Sequence, residues 1–255
     1  MDWTFSATPQ PYGLVHWLML CGIGAASTVF YLVVRRQEER KLLRLLFVLG
    51  IGMLFAEAWK QWFVVRYVYR GTPSMWFFPW QLCSIAMYVS TLAPFWKGRA
   101  QDASLVFLCT FSVVGAVFAL LFPEDMMRDQ ILLFCHSFLY HTLMLFEAIL
   151  SLCILKRRAH VPFLPALVLF FGTAAVAEVV NVCSHLIIRD IRCEANMFYI
   201  TPFYPSTQPV FSEIAAHAGI FVEILVYLGC IALASFLLYL LLLRTKRGCQ
   251  SHLSS

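Results

Sequence analysis

The sequence predicts an all-α fold, a polytopic seven-transmembrane helix bundle with its N-terminus outside and its C-terminus in the cytosol. Composition, the spacing of long apolar runs and the placement of basic residues carry that expectation. The 255-residue chain is 61% hydrophobic and 13% charged, and its mean hydropathy is +0.76. A soluble domain of this size could not hide so much apolar surface, whereas a bilayer removes the need to. Seven stretches are long enough to span, near 13–34, 42–65, 75–96, 103–122, 131–155, 161–188 and 217–243. Backbone groups in lipid must be satisfied internally, so these stretches are expected to be helices. Loops are confined to the two aqueous faces, and residues 1–255 form a single integral membrane domain.

The first stretch is too long for the apolar core of a signal peptide and lacks a basic region before it, so it reads as an ordinary first span. Basic residues then fix the orientation. Arg35, Arg36, Arg40, Lys41 and Arg44 lie between or just inside spans one and two. Lys97 and Arg99 follow span three, Lys156, Arg157 and Arg158 follow span five, and Arg244, Lys246 and Arg247 follow span seven. The other side keeps Lys60, Arg66, Arg70, Arg128, Arg189 and Arg192. The net charge of +5 is thus a matter of membrane topology, and nucleic acid is not an expected partner. Gly71-Thr72-Pro73 turns the chain into span three and Pro123 ends span four. The connection from Arg189 to about Ala216 carries Pro202, Pro205 and Pro209 with several aromatic residues. Such a loop either caps a cavity or lies in the membrane interface.

The nine cysteines show no C-x-x-C pairing, so a disulfide framework is not expected. Cys249, beside a basic run, is a candidate for S-acylation. Buried thiols commonly pack as small hydrophobes. Cys83 differs, because it follows Pro79-Trp80-Gln81 inside an apolar stretch that shares its level with other polar groups.

Helical rise places those groups. Glu57 and Cys83 lie roughly 12 Å below the outer ends of their spans, and His136 and His141 about 8 and 15 Å below the end of span five. Glu178, Asn181 and His185 occupy the outer half of span six on one stripe, Glu223 that of span seven, and His16 and His217 the boundary. Glu57, Lys60 and Gln61 form one polar face. Only Glu147 is deep on the cytosolic side. Ionisable residues in spans are costly and face a cavity or one another, so the layer reads as a buried, partly hydrated site. His136 and His141 are about 140° apart in phase at 3.6 residues per turn, which predicts that they do not point at the same spot.

A thiol beside an imidazole can be deprotonated as it attacks, with a carboxylate or amide holding the ring in its tautomer. Cys83 with a histidine of span five fits, and Glu57, Glu178 or Asn181 could orient the ring. In the outer half of a bilayer the natural substrate is a lipid acyl ester, and attack gives an acyl-thioester. Neither cofactor nor metal is needed for this. Two other readings fit the residues. In one, His185, Glu213 and His217 bind zinc in a lipid hydrolase, with i, i+4 spacing in Glu213-x-x-x-His217. In the other, the polar layer is the pocket of a non-enzymatic protein that binds or carries a lipid or small solute.

Short motifs along nearly the whole chain resemble the YwaF-like bacterial integral membrane family, whose animal relative is transmembrane protein 164. Phe78-Pro79-Trp80-Gln81-Leu82-Cys83 is similar to the family's Leu-Pro-x-His-Leu-Cys signature. Leu14-Val15-His16 and Glu57 stand in matching positions, and 115–123 resembles the family's fourth span with its terminal Pro123. Phe138-Leu139-Tyr140-His141 resembles the fifth-span histidine motif. Asn181 with Asn196-Met197-Phe198-Tyr199 resembles the family's Asn…Asn-Tyr-Met-Phe segment. The resemblance implies a phospholipid acyltransferase with membrane lipids as substrates, Cys83 as acyl acceptor and His141 as its partner in preference to His136. It also implies a bacterial cytoplasmic membrane, or an endomembrane in a eukaryote. Gln81 departs from the signature, which has His there, and Asn-Met-Phe-Tyr departs from Asn-Tyr-Met-Phe. Protein partners are not indicated.

Overall fold

A computed structural model describes residues 3–69, 74–159, 161–188, 194–208 and 210–243. The turn at 71–73, Arg70, Arg189, Arg192, Cys193, Pro209, Cys249 and the basic residues after Leu243 lie outside the described residues.

Among the described residues the regular structure is helical. The long helices are α1 (Leu14–Val34), α2 (Glu39–Phe63, continued by a π-turn to Val68), α6 (Ile131–Leu155), α7 (Leu164–Ile187) and α9 (Ile220–Leu243). Shorter ones are α3 (Leu82–Leu92), α4 (Gly98–Cys109), α5 (Phe111–Leu121) and α8 (Phe211–Ala218). With α4 and α5 taken as one bent element, six helices are long and apolar enough to cross a membrane, and the apolar helix Leu82–Phe95 is shorter. Helix α6 is central, packing on α1, α2, α4 and α5. The core beside it is aromatic, with Phe111 stacked on Phe107 and Phe170 at 5.4 and 4.6 Å between centroids. Exposed Phe55, Leu186, Ile187 and Phe221 form part of the lipid-facing surface.

Three boundaries differ from the expected spans, each for a local reason. The third was expected over 75–96, but helix begins only at Leu82. Pro79 holds the residue before it extended, and Gln81 is itself extended at φ −70°, ψ 158°. At its far end Pro94 lies in a 3₁₀ turn, and the Gln101 amide donates to the Ala93 and Trp96 carbonyls there. The fourth begins at Gly98 rather than 103 and bends at Thr110, whose φ and ψ are −125° and −76°. The Thr110 hydroxyl donates to the Val106 carbonyl at 2.6 Å, a side-chain bond of the kind that bends helices. The seventh was expected from 217. Instead α8 ends at Ala218, Gly219 turns the chain at φ +88°, and α9 follows.

At the basic end Arg158 joins three segments, bonding Asp102 of α4, Glu39 of α2 at 2.7 Å and Gln101 at 2.6 Å. The opposite end holds the site.

Candidate functional site

The extended lead-in to α3 sets Cys83 in that helix's first turn. Trp80 and Pro79 anchor this lead-in: the Trp80 indole N–H donates to the Thr173 carbonyl at 3.1 Å, and the Tyr88 hydroxyl to the Pro79 carbonyl at 3.0 Å. The first turn carries the unpaired N–H groups and positive end of the helix dipole, which favour developing negative charge on the sulfur.

Cys83 lines a cavity of about 260 Å³ whose walls also include Glu57, Lys60, Gln81, His136, Tyr140 and His141. The site residues of spans two, three and five therefore meet in one space. The phase difference between His136 and His141 does not separate them, because the cavity is wide enough for each to border it from a different side. No hydrogen bond joins the Cys83 thiol to either imidazole among the described residues.

The hydrogen bonds of each ring fix its tautomer. A carbonyl only accepts, so His141 donates from Nδ1 to the Ser137 carbonyl at 2.7 Å, one turn back in its own helix. The neutral ring then carries its lone pair on Nε2, free to accept a proton. His136 donates from Nε2 to the Ala56 carbonyl of α2 at 3.2 Å and is stacked between Trp59 and Tyr140, at 5.8 and 5.5 Å. Its available lone pair is on Nδ1. Glu57 orients neither ring directly. Its carboxylate takes the Lys60 ammonium and the Gln61 amide, both at 2.7 Å, and Gln61 also donates to the Phe77 carbonyl.

Residues 194–208 after α7 contribute to the cavity wall. Residues 194–198 are buried, and Phe198, Tyr199 and Gln208 line the site. Three amides hold this segment. Asn181, fully buried, accepts from the Met197 N–H at 2.6 Å and donates to the Met197 carbonyl at 3.1 Å. Gln81 accepts from the Phe198 N–H and donates to the Asn196 carbonyl, both at 2.8 Å. Asn196 accepts from the Thr201 N–H at 3.2 Å. The clamp is needed because Phe198 and Tyr199 both have left-handed backbone, φ 58° and 57°, at about 1–2 kcal/mol each for residues with a Cβ. The Tyr199 hydroxyl donates to Asp125 at 2.7 Å. Asn181 and Asn196 thus build a wall of the site without lining it.

Other polar residues of the layer lie elsewhere. His16 is fully buried, accepting at Nδ1 from the Tyr12 N–H at 3.1 Å and donating from Nε2 to the Leu120 carbonyl at 2.9 Å. With both nitrogens used it staples α1 to α5. Glu178 contacts Asn181 at 3.4 Å, away from the cavity. The alternative zinc set is not assembled. His185 pairs with Glu194 at 2.9 Å and stacks on Phe203, while His217 donates to the Glu213 carbonyl of its own turn. Among the described residues no three His, Cys, Asp or Glu side chains are grouped to hold a metal ion. Sequence reasoning missed Arg128, Asp125, Phe77 and Tyr140 as lining residues. Arg128 lies 5.3 Å from the Phe77 ring centroid, with Lys60 at 6.0 Å, so two cations flank one aromatic ring of the lining.

A comparison with curated proteins and with solved structures finds no match. A family model described as the TMEM164 family matches residues 11–245, nearly the whole chain. This integral membrane protein belongs to the TMEM164 family.

Proposed function

We propose that the protein is a membrane-embedded acyltransferase that moves a fatty acyl chain between lipids through a thioester on Cys83. The observation that carries the reading is the shared cavity of Cys83 and His141, with His141 Nδ1 committed to Ser137 and Nε2 left as proton acceptor. The Cys83 thiol attacks the ester carbonyl of a donor lipid while its proton passes to His141 Nε2. The resulting tetrahedral intermediate expels the glycerol oxygen, which takes that proton back and leaves as a lysolipid. A hydroxyl of an acceptor lipid then attacks the thioester, giving its proton to Nε2, and the thiol is restored as the new ester forms. A free thiolate is costly in so apolar a place, so attack and proton transfer proceed together. Water competes poorly with a lipid acceptor there, which favours transfer over hydrolysis.

His136, with its lone pair on Nδ1, lines the site in a supporting role. Arg128, and Lys60 in its pair with Glu57, offer charged N–H donors to a lipid phosphate. The absence of a thiol–imidazole hydrogen bond favours a second reading, in which the same cavity binds a lipid or small solute without reacting. Lipidomics of cells making the wild type or Cys83→Ala tests the choice. Acyl transfer predicts redistribution of phospholipid acyl chains that Cys83→Ala removes, and the binding reading predicts indistinguishable profiles.

A further inference from the structure

We propose that the acyl chain reaches Cys83 sideways from the bilayer, through a slot between α5 and α9. The cavity is asymmetric. Its lining joins a charged group, Arg128, Asp125 and the Lys60–Glu57 pair, to an apolar one, Gly115 and Phe118 of α5, Phe122 just after it, and Cys230, Ile231 and Ala234 of α9. Phe118, Phe122, Cys230 and Ala234 are also exposed. Side chains that line an internal cavity and also face outward mark a place where the wall is open. This one faces hydrocarbon, since both helices are apolar and belong to membrane-crossing elements. By helix rise the lining of α9 from Tyr227 to Ala234 runs about 10 Å, along which a single methylene chain can lie.

The inner end of the slot meets the sulfur. A Cβ added to Gly115 would lie 3.6 Å from Cys83 Sγ and 3.4 Å from Leu82 Cδ2. The missing side chain therefore leaves open the volume beside the thiol on the slot side. An occupant with a polar head and an apolar tail satisfies both groups, with its headgroup near Arg128 and the Lys60–Glu57 pair and its chain passing Gly115 into the bilayer. The occupant is a bilayer glycerophospholipid. The proposal rests on Cys83 as the group the chain must reach, and its test reads access to that thiol instead of acyl transfer.

The test uses full-length protein in phosphatidylcholine vesicles and two maleimides, each of which adds the Cys83 S–H across its double bond. N-octadecylmaleimide is confined to the bilayer, whereas N-ethylmaleimide is small enough to arrive from water as well. Peptide mass spectrometry reads the labelling rate at Cys83. Ala234→Trp, on the rim, is expected to slow octadecyl labelling at least tenfold and leave ethyl labelling within twofold. Phe118→Ala, which widens the slot, should accelerate octadecyl labelling severalfold and leave ethyl labelling within twofold, whereas a loosened fold would accelerate both. Leu233→Trp, exposed on α9 but outside the lining, should change neither. The proposal is overturned if octadecyl labelling is absent in the wild type or is indifferent to both rim changes. It is also overturned if Leu233→Trp slows it as much as Ala234→Trp does. Lateral labelling without any acyl transfer from phospholipid would leave the slot standing and remove the acyltransferase reading.

Discussion

Replacing Gln81 with Ala tests whether the amide clamp holds the cavity wall. The change leaves the buried Phe198 N–H without a partner and takes from the Asn196 carbonyl its shorter bond, leaving it the Tyr199 N–H at 3.3 Å. An orphaned group costs about 1–3 kcal/mol. The two left-handed residues add a standing strain of about 1–2 kcal/mol each, which nothing at Gln81 would then oppose. Taking about 1 kcal/mol as the low end, local opening becomes about fivefold more populated. Because α7 still holds Met197 through Asn181, the effect is local opening of 196–201 and not loss of the bundle. Hydrogen–deuterium exchange of the peptide covering Phe198 reports that opening directly. A neutral imidazole offers one donor and one acceptor, as an amide does. Gln81→His should therefore keep most of the protection, which also accounts for histidine at this place in the signature that the chain resembles. Equal exchange in wild type and Gln81→Ala would refute the clamp, and so would equal loss in Gln81→Ala and Gln81→His.

His16→Ala removes the ring that joins the Tyr12 N–H to the Leu120 carbonyl and should lower stability by about 1–3 kcal/mol, read as a fall in Tm in detergent. The surviving folded protein should keep its activity; a selective loss of turnover at full stability would contradict the structural role. His136→Ala should be milder than His141→Ala in lipid turnover, and the reverse order would reassign the base. For orientation, cysteines placed near Arg157 should resist a membrane-impermeant thiol reagent added outside, and labelling there would overturn the expected topology.

The fold class was legible because hydropathy acts over whole segments, and a bilayer imposes helix on any long apolar run. Boundaries were less so. Pro79, Thr110 and Gly219 interrupt apolar runs without changing their mean hydropathy, so an extended lead-in, a bend and a separate α8 were hidden. Depth counting brought Glu57, Cys83, His136 and His141 to one level, and they do share the cavity. It also grouped His16, Glu178 and His185 with them, because depth carries no information on which way a residue faces in the finished bundle. Asn181 stood out as a polar residue of span six and Asn196 only through the motif it resembles, but their partners are backbone groups of a loop, which no periodicity reveals. The proline- and aromatic-rich composition of that loop was the signal for a cap, and two left-handed aromatic residues within it could not be anticipated from sequence.

The most direct measurement of the central claim is the chemical state of Cys83 during turnover. Protein in vesicles is exposed to a phospholipid with an alkyne-tagged acyl chain, quenched in acid and mapped by peptide mass spectrometry. The account predicts a hydroxylamine-labile acyl mass on the Cys83 peptide, which Cys83→Ala abolishes and His141→Ala prevents from forming. Cys83→Ser should give a trace of ester at best, and combining Cys83→Ala with His141→Ala should lower turnover little further than either change alone. Acyl transfer that continues in Cys83→Ala, or turnover in the wild type with no acyl group ever found on Cys83, would contradict it.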